Sequence, residues 1–245
     1  MKVCIAGLSN LRKGTHSLLK EIPFVLESFY YIRDYEIPLI KSCELFLLDS
    51  GAFTFMNSKI KNADIDGYLE EYIKFINKHD VKYFFELDVD SIYGHEKVKE
   101  MRKRLEEGTG KKCIPVWHKS RGMDEWIRLT EEYDYVGFGS FAIEIKENEY
   151  KYIPSMLEIA RKNKCKVHGL GFTSMKYIDK LHFYSADSTS WNCISRFGNL
   201  YKFDGKRIVN VTPKSKRINK KMYIDGEVHN LKEWIKFQRY ADKKL

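Results

Sequence analysis

The sequence predicts an α/β chain folded as a (β/α)8 TIM barrel, a single domain with a basic C-terminal extension. Three observations carry that expectation. Eight short β-type runs recur along the chain, most followed by an amphipathic helical stretch, and strands alternating with helices imply a mainly parallel sheet. The length of 245 residues suits one such barrel. No internal repeat, low-complexity tract or Gly/Ser linker divides the chain.

The β-type runs are 2–6 (KVCIA), 45–49 (LFLLD), 82–88 (KYFFELD), 112–117 (KCIPVW), 134–139 (DYVGFG), 166–170 (KVHGL), 183–187 (FYSAD) and 207–211 (RIVNV). Residues 10–44 carry no such pattern and are expected to be irregular. The clearest helix is 64–79, where Ile65, Tyr68, Leu69, Tyr72, Ile73 and Ile76 recur every three or four residues behind the N-cap candidate Asp64. Further helical patterns fit 94–107, 123–132, 149–163 and 174–181.

Composition narrows the class. With 43% hydrophobic and 14% aromatic residues the chain can bury a sizeable core, which excludes whole-chain disorder. No stretch approaches the roughly 18 apolar residues of a membrane span, and the start MKVCIAGLSNLRKG is not a convincing signal peptide. The five cysteines, Cys4, Cys43, Cys113, Cys165 and Cys193, are scattered with no C-x-x-C pair. They read as reduced thiols, with neither a disulfide frame nor a zinc site, in a cytoplasmic protein.

The net charge of +9 is unevenly placed. Residues 196–245 hold 14 Lys and Arg against 5 Asp and Glu, so residues 1–195 are balanced at 29 of each. This divides the chain into a neutral core, 1–195, and a basic strand and helix extension, 196–245. The extension carries Arg196, Lys202, Lys206, Arg207, Lys214, Lys216, Arg217, Lys220 and Lys221, with Phe197, Tyr201, Phe203, Tyr223 and Trp234 interleaved. Cations alternating with aromatic rings suit a phosphate backbone and unstacked bases; a solvated basic tail is the plainer alternative.

In barrels of this kind chemistry gathers at the C-terminal ends of the strands. Those positions hold Asp49-Ser50-Gly51, Asp88 and Asp90, His118, Gly137 and Gly139, His168 and Gly169, and Asp187. Clustering four carboxylates at one mouth is costly, so a purely structural role for all four is not expected. Singly, each has a plainer reading: Asp90 can cap the helix near 94, and His168 can be a hydrogen-bonded core histidine. The chain lacks Gly-x-x-x-x-Gly-Lys-Ser/Thr, Gly-x-Gly-x-x-Gly after its first strand and Gly-x-Ser-x-Gly, the fingerprints of nucleoside triphosphate, dinucleotide and serine hydrolase sites. Two chemistries remain: a metal-dependent hydrolase or lyase using Asp88, His118, His168 and Asp187, and carboxylate chemistry at a sugar carbon.

Asp49-Ser50-Gly51-Ala52-Phe53-Thr54 resembles the Asp-Ser-Gly-Gly-Phe-Gln motif of the tRNA-guanine transglycosylases. The later landmarks follow in a similar order across roughly residues 45–195: Asp88, Gly137 and Gly139, the His-Gly-Leu-Gly segment at 168–171, and Asp187. Ala52 and Thr54 replace Gly and Gln, and the family's Cys-x-Cys-x-x-Cys zinc pattern is absent. The resemblance therefore points to the shorter branch of phages and bacterial gene clusters implicated in placing 7-deazaguanines into DNA. It implies a base exchange in the cytoplasm of a bacterium or phage-infected host, on DNA in preference to tRNA, with a 7-deazaguanine base as second substrate and no metal or other cofactor.

Carried onto this sequence, the resemblance makes Asp187 the nucleophile at C1′ and Asp49 the general acid and base. Asp88 would accept from the guanine edge, with Asp90 a second reader of the base or only a helix cap. Ser50, Gly51, Gly137, Gly139, His168 and Gly169 would line the base pocket, and Phe53 would stack on the base. Ser188, Thr189 and Trp191 would hold the flanking sugar or phosphate. A noncatalytic nucleic-acid-binding barrel is the remaining alternative.

Overall fold

A computed structural model describes residues 1–56, 64–139, 145–213 and 220–245, excepting the side chains of 13, 14, 53, 195, 196 and 220–224. The first half of the chain forms β1 (Lys2–Ala6), β2 (Phe24–Ser28), α1 (Leu39–Ser42), β3 (Leu45–Asp49), α2 (Ala52–Met56), α3 (Ile65–His79), α4 (Asp90–Tyr93) and α5 (His95–Thr109). Next come β4 (Val116–Trp117), α6 (Gly122–Glu132), β5 (Tyr135–Phe138), α7 (Ile153–Lys162), β6 (Lys166–Gly169) and β7 (Ser185–Ser188). The chain closes with α8 (Cys193–Phe197), β8 (Tyr201–Phe203), β9 (Ile208–Asn210) and α9 (Lys220–Lys244).

The expected (β/α)8 TIM barrel is corrected by the sheet. β1 to β7 form one seven-stranded parallel sheet in the order β3-β2-β1-β7-β6-β5-β4, curled on itself, and not a closed ring of eight strands. Three local causes account for the difference. The run 82–88 builds no strand and touches the sheet's two edges only through single parallel bridges, Leu48 to Phe84 and Phe85 to Ile114. The Val116 N–H that could extend a ladder there donates instead to the buried Glu86 carboxylate at 2.8 Å. Residues 207–211, expected as a strand of the barrel, supply β9, which pairs antiparallel with β8 in a separate two-stranded ladder. The Asp204 carboxylate accepts the N–H groups of Lys206 and Arg207 at 2.8 and 2.7 Å and Gly205 takes φ 101°, so local turn chemistry forms a hairpin. Finally β2 lies inside the span expected to be irregular, where it bonds to both β1 and β3.

The two-residue period of the strands sorts side chains between the faces of the curl. Cys4 and Ala6, Phe24 and Leu26, Leu45 and Leu47, Phe85, Ile114, Val116 and Tyr135 pack together on its inside. Val3, Ile5, Val25, Phe46 and Leu48 point outward onto helices, α3 among them through Leu69, Tyr72, Ile73 and Ile76. Asp64 caps α3 by accepting the Gly67 N–H at 2.9 Å. A second outer cluster joins Trp117, Trp126, Phe138, Ile153 and Met156 under α6 and α7.

The C-terminal segment is built into this core. Leu231, Trp234, Ile235, Phe237 and Ala241 of α9 are buried in the same outer cluster as β1 and β2. Gln238 Nε2 donates to the carbonyls of Val3 and Phe24, each at 2.7 Å, which ties the two strands to the helix. Asn230 and Glu233 accept the N–H groups of Tyr201 and Phe203, each at 2.8 Å, and so hold β8. Among the described residues, no helix is long and apolar enough to cross a membrane.

Candidate functional site

On β3, β6 and β7 the inward row carries an ionisable residue at or near the C-terminal end. On β3 the row is Leu45, Leu47, Asp49; on β7 it is Ser185, Asp187; on β6 it includes His168. Parallel strands put these positions at one end of the sheet, so strand period and direction together assemble the group.

Burial pushes the Asp49 carboxyl up to about 6, opposed by its bond from the Gly51 N–H (3.0 Å) and reinforced by the negative charges of Asp88 and Asp187. Such a group gains and loses a proton near neutrality. Gly51 is required by shape: its φ is +65°, and a Cβ there would lie 2.4 Å from Ser28 Oγ and 2.6 Å from Tyr30 Cβ. Ser50 is buried, with its carbonyl accepting the Tyr68 hydroxyl at 2.6 Å, so it anchors the turn to α3.

Asp187 is 9% exposed and accepts the Gly171 N–H at 2.6 Å. His168, fully buried, lies with Nε2 3.2 Å from Asp187 Oδ1 and Nδ1 2.6 Å from Ser185 Oγ. Ser185 in turn bonds to Tyr135. The chain Tyr135, Ser185, His168, Asp187 fixes the carboxylate while leaving its rim open.

A second cluster forms where 82–90 meets β4. His118 Nε2 sits 2.8 and 2.9 Å from the two oxygens of Asp88. Burial works against the imidazolium, but the Asp88 carboxylate outweighs it and raises the His118 pKa. For Asp88 burial raises the carboxyl, and the His118 bond only partly offsets this. Arg121, whose side chain is 2% exposed, lies 3.0 Å from Glu86, 3.0 Å from Asp90 and 3.6 Å from Asp88. Burial favours neutral Asp90, yet the Arg121 guanidinium holds its carboxyl below the usual range. Asp90 also opens α4, so it is both a helix-start residue and an ion-pair partner.

Ligand-type atoms of Asp88, Asp90 and His118 lie within 4.8 Å of one another. Arg121 already places a cation on both of those carboxylates, which lessens the attraction for a metal ion. His168 and Asp187, expected beside Asp88 and His118 in a metal set, are not in this group.

The remaining expected residues divide. Gly139 makes room for the cluster, since a Cβ would come 2.7 Å from His118 Cε1. Gly137 and Gly169 are packing positions, their Cβ sites facing Phe85 and Val116 at 3.2 Å and Phe172 at 3.1 Å respectively. Trp191 is fully buried and donates to the Ala6 carbonyl at 2.8 Å, which makes it structural. Ser188 Oγ accepts the Ser190 N–H at 3.1 Å and pairs with Thr173 at 3.0 Å. Thr189 reaches within 3.5 Å of where a Gly7 Cβ would stand.

Of the expected nucleic-acid contacts, Lys206 is exposed, and Arg207 forms an ion pair with Asp179 at 3.1 Å. Lys214, Lys216 and Arg217 lie outside the described residues, as do the side chains of Phe53, Arg196, Lys220 and Lys221.

Sequence reading missed Arg121 and Glu86. The signal available was His118-x-x-Arg121 directly after a strand, with Glu86 inside an otherwise apolar run. No protein-family model and no curated protein matches the chain.

Proposed function

We propose that the chain exchanges guanine for a preformed 7-deazaguanine within a polynucleotide, DNA in preference to tRNA. The observation that carries this reading is Asp49, a carboxyl pushed up to about 6 by burial at the same end of the sheet as Asp187 and Asp88. In the first half-reaction a carboxylate oxygen of Asp187 attacks C1′ of the target nucleotide, the C1′–N9 bond breaks, and guanine leaves with a proton from Asp49. In the second, Asp49 takes the N9 proton of the 7-deazaguanine, whose nitrogen attacks C1′ and releases Asp187. The Gly171 N–H and His168 hold Asp187 in place for both steps. Asp88, fixed by His118, offers an acceptor for the N1–H and exocyclic amine of a guanine-like base.

Labelled 7-deazaguanine incubated with the protein and guanine-containing DNA or tRNA, side by side, tests the proposal. Label is expected in DNA; none in either polymer overturns it. Asp187→Asn is expected to abolish a trapped protein–nucleic acid adduct, and undiminished turnover in that variant removes the nucleophile assigned here.

A second reading, metal-dependent hydrolysis, is favoured by one observation, the close approach of Asp88, Asp90 and His118. Stoichiometric zinc, iron or manganese in the purified protein, with activity lost in chelator, would replace the first reading with this one.

A further inference from the structure

We propose that the depression between the loops following β1 and β2 is a subsite for the nucleotide next to the target in a single DNA strand. Arg12 and Arg33 would take its phosphate and the stacked rings of His16 and Tyr35 its base. The inference rests on the proposed exchange on a polynucleotide and adds where the strand runs.

Topology places the depression. β2 and β1 stand between β3, which carries Asp49, and β7, which carries Asp187. The loops leaving their C-terminal ends therefore lie at the end of the sheet that carries the two carboxylates, in the sector between them. There they enclose an open depression of about 630 Å³.

Its chemistry fits a nucleotide. The His16 and Tyr35 rings stack with centroids 4.0 Å apart and planes 25° from parallel. Both rings are held by their polar ends: the Tyr35 hydroxyl donates to the Leu8 carbonyl at 2.7 Å, and His16 Nε2 lies 3.2 Å from the Leu11 carbonyl. A fixed aromatic plate is what an unstacked base requires, and it loses little freedom on binding.

Arg12 and Arg33 are exposed at the edge of the depression. Arg12 is steered by Glu227 of α9, at 3.5 Å from both its backbone N–H and its guanidinium. The loop of Arg33 is pinned by its backbone N–H, which donates to Glu36 at 2.7 Å. Asp34 on the same rim and Glu227 beside Arg12 balance the two arginines, so the guanidinium N–H donors, and not a net charge excess, would take the phosphodiester. A base in a duplex is already stacked on its neighbours, so the plate selects a single strand.

Fluorescence anisotropy of a labelled 12-nucleotide single-stranded DNA containing guanine, titrated with the full chain over a range of salt, tests the subsite. Arg12→Ala with Arg33→Ala is expected to weaken binding and to lower the slope of log affinity against log salt by about 0.7, one single-strand phosphate. His16→Ala is expected to weaken binding about 5-fold or more with the slope unchanged, as for one lost base stack. Unchanged affinity and slope in the double arginine variant overturn the subsite. The binding arm needs no turnover: if the arginine and histidine effects appear but labelled 7-deazaguanine enters no DNA, the exchange reading fails and the subsite stands. If exchange proceeds in the arginine variant at the wild-type rate with DNA below its KM, the subsite fails and the exchange stands.

Discussion

At the scale of single residues, Asp49 is the most informative. Its place on β3 follows from alternation, because a row that reads Leu45, Leu47, Asp49 cannot end on the inner face without burying a carboxyl. Burial then pushes that carboxyl up to about 6. In the proposed exchange Asp49 must be protonated when guanine leaves. The log of kcat/KM for the polynucleotide is therefore expected to fall as pH rises through about 6, and Asp49→Asn to be slower by roughly 10²- to 10⁴-fold with that limb gone. The same shift has a stability consequence. The protonated form is preferred in the folded state, so the group's contribution is fully present below its unfolded value of 3.8 and lost as pH rises through about 6. Asp49→Asn is thus expected to raise Tm relative to the parent chain at pH 8 and to leave it nearly unchanged near pH 4, read by thermal unfolding at both values. Gly51 beside it is set by backbone geometry. Gly51→Ala puts a Cβ against Ser28 and Tyr30 at φ +65°, expected to cost about 1–3 kcal/mol in a denaturant titration.

At the scale of elements, α9 decides how the C-terminal fifth is to be understood. Its charged residues are conspicuous in the sequence, but its structural work is done by Leu231, Trp234, Ile235, Phe237, Gln238 and Ala241, spaced three or four apart on a buried face. Trp234 is 2% exposed, so Trp234→Ala is expected to cost about 3–5 kcal/mol, as large-to-small changes in a core do. Removing residues 220–245 is expected to abolish cooperative unfolding altogether, because β1 and β2 would lose Gln238 and their outer cover. Circular dichroism during a thermal scan checks both. The segment 82–88 is the opposite case: it reads as a strand, yet Glu86 takes a ladder N–H with its side chain and gathers Arg102 and Arg121 around it. A buried carboxylate with two guanidiniums has traded strand pairing for an ion network beside Asp88.

At the scale of the whole molecule, the charge of +9 says little about the fold and, in the proposed exchange, serves contact with the polynucleotide. The same segment that holds the excess holds core residues, since Leu231, Trp234, Ile235, Phe237 and Ala241 of α9 pack in the cluster of β1 and β2. Replacing Lys214, Lys216 and Arg217 together by Gln is expected to weaken polynucleotide binding and to lower the salt slope by about 2. Binding of the free 7-deazaguanine base, measured by calorimetry, is expected to be nearly unchanged.

Alternation of strands and helices, the apolar periods and the ionisable residues at strand ends were all legible in the amino-acid order, because each depends on neighbours a few positions apart. Asp49, Asp88, His118, His168 and Asp187 were all visible as candidates for that reason. The sheet's closure was not, since it turned on whether a Val116 N–H bonds to a carbonyl or to the Glu86 side chain 30 positions away. Nor was β2, as long as β1 and β3, whose identity as a strand lies in its pairing with both. Partnership among charges was likewise decided by tertiary structure: Arg121 joins Glu86, Asp88 and Asp90 only when the loop after β4 folds back on 82–90. Local order writes the elements and their polarity. Hydrogen-bond competition and charge pairing across long separations choose how those elements meet.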